Sequence, residues 1–126
     1  VTEQKNSLAV CLDNILRHAG ITRNTEYDLA QGKTATTILS ENMTGVQVLD
    51  LSGCTLDAVL YYVNQDIPVL AILEDGEAVL VTGFNEFNVV IMEPSTGKLY
   101  KKGMNDATAW FAENGNHFIT YMRTEN

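Results

Sequence analysis

The stretch KNSLAVCLDNILRHAG, residues 5–20, decides how the chain begins to fold. Its apolar residues recur at the spacing i, i+3, i+4, i+7 and i+8, which is typical of one face of an amphipathic helix. They are Leu8, Cys11, Leu12, Ile15, Leu16 and Ala19. We therefore predict a helix over residues 7–19 that is closed by Gly20, with Asn6 or Ser7 available as its N-cap. This helix places Cys11 in the middle of the core-facing side and Ser7 at the tip, where a reactive side chain would be presented.

The composition is that of one globular domain. The chain has 126 residues, of which 45% are hydrophobic, and this length is sufficient for a domain with its own core. Because the chain begins with Val1, we expect residues 1–126 to be a single domain taken from a longer protein. No stretch of sequence approaches the ~20 consecutive apolar residues of a membrane span. The formal net charge of −8 argues against binding to nucleic acid or to anionic membranes, which require clustered Lys and Arg.

The cysteines and histidines do not form a recognisable metal or catalytic pattern. Neither Cys-x-x-Cys nor His-x-x-x-His occurs, so we expect no metal and no cofactor. Cys11 and Cys54 are expected to be buried free thiols rather than a disulfide, which leaves the redox compartment open. Cys11 and His18 are separated by about two helical turns, or ~10 Å of rise, so they cannot act as a pair. We expect His18 on the surface at the helix end and His117 in a turn.

The remaining patterns predict an α+β fold. Helices are expected near residues 25–30, over 34–43 with Thr34 as cap, from Thr55 onward, and after a cap at Asn105 as far as Gly115. Strands are expected over residues 46–51, 69–73, 78–84, 89–92, 98–101 and 118–122. Asp75-Gly76 is a strong hairpin signal, and residues 78–84 are apolar on both faces, so that strand should be buried. We predict an N-terminal helical lobe followed by a C-terminal antiparallel sheet.

The order of these segments resembles the papain-like cysteine peptidases of family thirty-nine, which are the double-glycine leader peptidases of bacteriocin exporters and their free-standing relatives. The first helix, with Ile15-Leu16 and the closing Gly20, is similar to that of the family. QDIPVLAIL, residues 65–73, resembles the family's G-x-P-V-I-A, and residues 77–97, EAVLVTGFNEFNVVIMEPSTG, resemble H-x-V-V-V-x-G-Y…V-x-V-x-D-P-x-x-G. GMNDATAWFAENGNHFITY, residues 103–121, resembles the closing helix and strand. The resemblance implies a two-lobed papain-like fold with a cleft between the lobes.

The resemblance also places the family's catalytic residues on positions with different chemistry in this chain. The nucleophilic Cys falls on Ser7, the general-base His on Glu77 and the orienting Asp on Glu93. The family's oxyanion Gln falls on Val1, and Gln4 lies nearby but out of register. A glutamate carboxyl group, with a reference pKa of ~4.3, is a much weaker base than imidazole. Because loss of the nucleophile or of the His in such a unit costs about 10⁶ in rate, the resemblance implies a degenerate member without peptidase activity.

Three functions remain open at the level of sequence. We expect a catalytically inactive domain that binds a peptide or a partner protein in the former active-site cleft, through Ser7, Glu77, Glu93 and Gln4. The alternatives are an active hydrolase with a non-standard site based on Ser7, and a structural spacer beside other domains of a larger bacterial protein. The compartment stays open between an extracytoplasmic or cell-surface location and the cytoplasm, the latter if the domain is part of an exporter.

Overall fold

The computed structural model describes residues 6–124. In this part of the chain, the strands form a single antiparallel sheet and the helices pack against it. The helices are α1 (Ser7–His18), α2 (Glu26–Ala30), α3 (Ala35–Asn42), α4 (Leu56–Val63) and α5 (Met104–Glu113). The strands are β1 (Val46–Asp50), β2 (Val69–Ile72), β3 (Ala78–Phe84), β4 (Asn88–Met92), β5 (Leu99–Gly103) and β6 (His117–Arg123). The predicted α+β class is confirmed. Within residues 6–124, no helix combines the length and apolar character that crossing a membrane requires.

The strands are arranged in the order β1-β6-β2-β3-β4-β5, and every neighbouring pair is antiparallel. The predicted hairpin joins β2 to β3, and Gly76 provides its left-handed residue with a φ of +87°. This hairpin sets Ile72 opposite Ala78. The last strand, β6, returns to the centre of the sheet between β1 and β2. Strand β6, the last in the chain, is therefore paired with both β1 and β2, and the beginning of β3 lies next to the start of α1.

The central strands of the sheet are buried on both faces, because they carry apolar residues at successive positions, which point to opposite faces. Leu70 and Leu80 pack with α1 and α3 on one face, whereas Val69 and Val79 pack with α4 and α5 on the other. The sequence predicted a helical part followed by a sheet. In the structure, α4 and α5 also form a second helical layer on the other face of that sheet. Within the described residues, the sheet lies between helices α1–α3 and helices α4–α5.

Helix α1 begins and packs largely as its sequence predicts. The Asn6 side chain accepts a hydrogen bond from the backbone N–H of Leu8 at 2.8 Å, so Asn6 is the N-cap. Ser7 is instead the first residue of the helix, and its side chain is free for a different contact. Cys11 is fully buried, and this burial raises the pKa of its thiol to about 12. The prediction was wrong for Ala19, which is exposed at the C-cap beyond the packed turns.

Three other details differ from the sequence-based prediction. Helix α5 begins at Met104 with Gly103 in the cap position, so Asn105 lies inside the first turn and is not the cap. Its start is fixed by a hydrogen bond from the backbone N–H of Met104 to the carbonyl of Phe87 at 2.8 Å. Strand β5 is displaced and runs to Gly103 rather than over residues 98–101. In β3 only residues 78–81 are buried, because residues 82–84 belong to neither of the two hydrophobic core clusters.

Candidate ligand groove

A groove of about 860 Å³ lies between α1 and the turn that joins β4 to β5. Helix α1 forms one wall with residues spaced i, i+3, i+7 and i+10, which share one face of a helix. These residues are Ser7, Val10, Asn14 and Arg17. The opposite wall is residues 93–97, and Leu73 with the beginning of β3 completes the lining. The groove thus follows almost the whole length of α1.

At one end of this groove, Ser7 is tied to the beginning of β3 by two hydrogen bonds. Its Oγ donates to Oε2 of Glu77 at 3.0 Å and accepts the backbone N–H of Ala78 at 2.9 Å. Ser7 is buried, with 8% of its surface exposed, whereas the Glu77 side chain is exposed to solvent. The sequence-predicted neighbours Ser7 and Glu77 are therefore in direct contact, although they belong to opposite parts of the fold.

Glu93 lies in the opposite wall of the same groove and follows β4 directly. Its Oε1 accepts a hydrogen bond from the Ser95 hydroxyl group at 2.9 Å. Burial, and then the negative charge of Glu93, raise the pKa of Tyr100 on the neighbouring strand. Ser7, Glu77 and Glu93 therefore share one groove, but Glu93 is hydrogen-bonded to Ser95. Gln4, the fourth predicted site residue, lies outside the described residues.

Neither histidine of the chain lines this groove. His18 lies at the other end of α1, ~16 Å of helical rise from Ser7. Its Nε2 lies 2.9 Å from the carbonyl oxygen of Asp66 and 3.6 Å from the Asp66 carboxylate. His117 is the first residue of β6 rather than a turn residue, and it is paired there with Ile72. The described lining of the groove has hydroxyl groups and carboxylates, but no imidazole.

The thiols and possible metal ligands are also separate from the groove. Cys11 and Cys54 are both free, and both pack against the apolar core. Within residues 6–124, no group of three His, Cys, Asp or Glu side chains is placed to hold a metal ion. Among the described residues, the charged side chains that line the groove are Asp13, Arg17, Glu77 and Glu93, beside the hydroxyl groups of Ser7, Ser95 and Thr96.

Sequence reasoning did not identify the rest of the α1 wall. Val10, Asn14 and Arg17 were outside the apolar stripe that predicted the helix. The signal that would have found them is the same helical periodicity counted from Ser7 instead of from Leu8. A residue at the tip of a helix shares its face with the residues three, seven and ten positions later. The groove-facing stripe was therefore present in the sequence beside the core-facing one.

The chain has an α+β fold that is similar to that of a solved C39-like peptidase. A crystal structure of a "putative C39-like peptidase" from Bacillus anthracis has the same architecture, with a TM-score of 0.79 and 14% sequence identity. The similarity covers 100% of this chain and 93% of that one. No protein-family model and no curated protein matches the sequence. At this level of identity the likeness establishes the fold, whereas activity depends on the residues of the site.

Proposed function

We propose that this chain is a catalytically inactive peptidase-like domain that binds an extended peptide, free or as a segment of a partner protein, in the α1 groove. The observation that carries the proposal is the contact of Ser7 with Glu77 and Ala78. Ser7, which the resemblance places at the nucleophile position, has its hydroxyl group hydrogen-bonded to other parts of the fold. Glu77, which the resemblance places at the base position, has a carboxylate side chain.

The two hydrogen bonds of Ser7 disfavour nucleophilic attack. An attacking oxygen needs an available lone pair and a base that removes its proton. The backbone N–H of Ala78 occupies one lone pair of the Ser7 Oγ. The group that accepts the hydroxyl proton is Glu77, whose exposed carboxylate is a weaker base than an imidazole. We therefore expect negligible hydrolysis.

The shape of the groove favours an extended ligand. Its α1 wall runs from Ser7 to Arg17, which corresponds to ~15 Å along the helix axis. An extended peptide rises about 3.3 Å per residue, so four or five residues fit along this wall. The lining combines apolar, amide, hydroxyl and charged groups, which suits a peptide backbone with varied side chains.

A Ser7-based hydrolase is the second candidate, because the same 3.0 Å bond places a carboxylate against a hydroxyl group in the geometry of a nucleophile and its base. Incubation with a fluorophosphonate probe, followed by peptide mass spectrometry, separates the two proposals. We expect no adduct on Ser7, and the Ser7→Ala variant provides the background. A covalent adduct that is confined to Ser7 would establish the hydrolase and overturn the inactive-domain proposal.

Binding in the groove is tested with a phage-displayed library of random octapeptides. Ser95→Trp adds bulk to the exposed wall opposite α1, and Ser52→Trp places the same side chain in an exposed turn that is not part of the groove. We expect selected peptides to bind the unmodified domain and the Ser52→Trp variant, and to lose about tenfold or more in affinity for Ser95→Trp. Failure to select any peptide sensitive to Ser95→Trp would favour the spacer function instead.

A further inference from the structure

The exposed charges along the groove lie apart, with Glu77 and Glu93 near Ser7 and Arg17 at the far end of α1, while the third carboxylate of the lining, Asp13, is buried. Resting on the proposed function, we infer that the groove selects extended peptides that carry one cationic and one anionic side chain about four residues apart. The cationic side chain lies between Glu77 and Glu93, and the anionic side chain lies at Arg17. Val10 and Asn14 line the intervening wall. The ligand class is thus defined by the spacing of two opposite charges on an extended backbone.

Among the described residues, two carboxylates lie near the Ser7 end of the groove. Glu77 precedes β3 and Glu93 follows β4, whose Met92 pairs with Leu80, so both are close to the beginning of β3 to which Ser7 is hydrogen-bonded. Both side chains are exposed, and each carboxylate accepts one hydroxyl hydrogen bond. A carboxylate has room for further donors, since its two oxygens offer about four lone-pair positions. A Lys or Arg side chain of a peptide can therefore bind between the two walls without displacing Ser7 or Ser95.

The other end of the groove holds the exposed guanidinium group of Arg17. Arg17 is exposed, and within residues 6–124 its guanidinium group takes part in no ion pair. The nearest acidic residue on the same helix face, Asp13, is buried, and its Oδ1 accepts the backbone N–H of Thr25 at 2.8 Å. Arg17 thus presents five N–H donors in a fork that matches a carboxylate. An Asp or Glu side chain, or a C-terminal carboxylate, suits this position.

The wall between the charged ends fits the middle of such a peptide. Val10 is half-buried and offers an apolar contact. The Asn14 Nδ2 donates to the carbonyl oxygen of Val10 at 2.8 Å, which directs the amide and leaves its Oδ1 as an acceptor for a peptide N–H. The ten-residue separation of Ser7 and Arg17 is ~15 Å of helix, and a four-residue extended spacing spans ~13 Å before side chains are counted. Opposite charges at this spacing reach both ends together.

The test is fluorescence anisotropy with labelled peptides of defined charge order. The first probe is Ser-Lys-Ala-Val-Ala-Glu-Ser with blocked termini, and the second carries Glu and Lys in exchanged positions, because the chain direction is part of the measurement. The controls place Lys and Glu next to each other, or replace Glu with Gln. We expect one of the spaced probes to bind about fivefold more tightly than either control, the range of one exposed ion pair.

Variants of the protein assign the two ends. Arg17→Glu is expected to weaken the preferred probe about fivefold, whereas Arg123→Glu, the same change at an exposed site that is not part of the groove, is expected to have little effect. The double variant Arg17→Glu/Glu93→Lys is expected to prefer the probe with the exchanged charges. Equal binding of all probes, still blocked by Ser95→Trp, would overturn the inferred charge order and leave the proposed groove function intact. If Ser95→Trp blocks none of the probes and none of the selected octapeptides, the proposed function itself fails.

Discussion

Ser7 and Glu77, which are 70 positions apart in the sequence, are joined by a 3.0 Å hydrogen bond between the Ser7 Oγ and the Glu77 Oε2. The same oxygen accepts the N–H of Ala78, so the first residue of α1 is attached to the first residue of β3. This contact lies at one end of the groove and joins the helix to the sheet. A position that the resemblance assigns to a nucleophile thus has a structural role in this chain.

Replacing Ser7 with Ala is expected to lower the free energy of unfolding. The change removes the acceptor for the buried N–H of Ala78, and an unsatisfied buried donor costs about 1–3 kcal/mol. Ser95→Ala is the matched control, because its hydroxyl group is exposed and its removal is expected to change stability by less than ~0.5 kcal/mol. Urea unfolding of both variants measures the difference. Equal stabilities would show that the Ser7 bond to Ala78 contributes nothing to folding.

Much of the fold was predictable because short signals in the sequence agree with the packing. The α1 stripe is buried at Leu12, Ile15 and Leu16 as its helical spacing requires. Thr34 and Thr55 both accept a hydrogen bond from the backbone N–H three residues later, which is the ordinary behaviour of a Thr N-cap. Such features are decided by neighbours within one helical turn, so local sequence is sufficient to predict them.

The features that were missed depend on residues distant in the sequence. Asn105 has the side chain of a cap, but the cap position falls two residues earlier, on Gly103, and the backbone N–H of Met104 is hydrogen-bonded to Phe87 in another loop. The second helical layer follows from Val69 and Val79 facing away from α1, and periodicity alone cannot tell which helix covers such a face. The resemblance aligned Ser7 with Glu77, but only the structure shows their hydrogen bond and the contact of Ser7 with Ala78.

The two thiols are expected to differ in reactivity toward Ellman's reagent in the native protein. Cys11 is fully buried, and burial raises the pKa of its thiol to about 12, so neither access nor thiolate is available near neutral pH. Cys54 is only half-buried at the edge of the second core cluster. We expect one thiol to react in buffer and both in denaturant, with Cys54→Ala abolishing the native reaction. Rapid modification of Cys11 in the folded protein would contradict its placement.

Stability is expected to fall as the pH rises above about 9. Burial raises the pKa of the Cys11 thiol from its ordinary value of 9.0 to about 12 in the folded protein, so the unfolded chain loses this proton first. The stabilisation is complete below pH 9 and is lost as the pH approaches 12. Burial raises the pKa of Tyr121 as well, which acts in the same direction. Urea unfolding at about pH 8 and about pH 10.5 measures the loss. Cys11→Ala should reduce the slope, and an unchanged slope in that variant would exclude Cys11 as its source.

The last prediction tests whether position 77 still faces position 7 as an acid–base partner. In a Cys54→Ala background, Ser7→Cys places a thiol at the N-terminus of α1, and Glu77→His places an imidazole where the hydrogen-bonded carboxylate stands. A helix N-terminus and an imidazolium both favour the thiolate, whereas the carboxylate of the single variant disfavours it. We expect the Ser7→Cys/Glu77→His variant to react with iodoacetamide at neutral pH about tenfold faster than Ser7→Cys alone, the effect of lowering the thiol pKa by about one unit.

Ser7→Cys/Glu113→His is the control, because Glu113 ends α5 and is not part of the groove. Equal rates in all three variants would mean that the 3.0 Å relationship in the native chain does not bring an imidazole to the thiol. A faster reaction confined to the paired variant would show that two substitutions separate this groove from a reactive cysteine site.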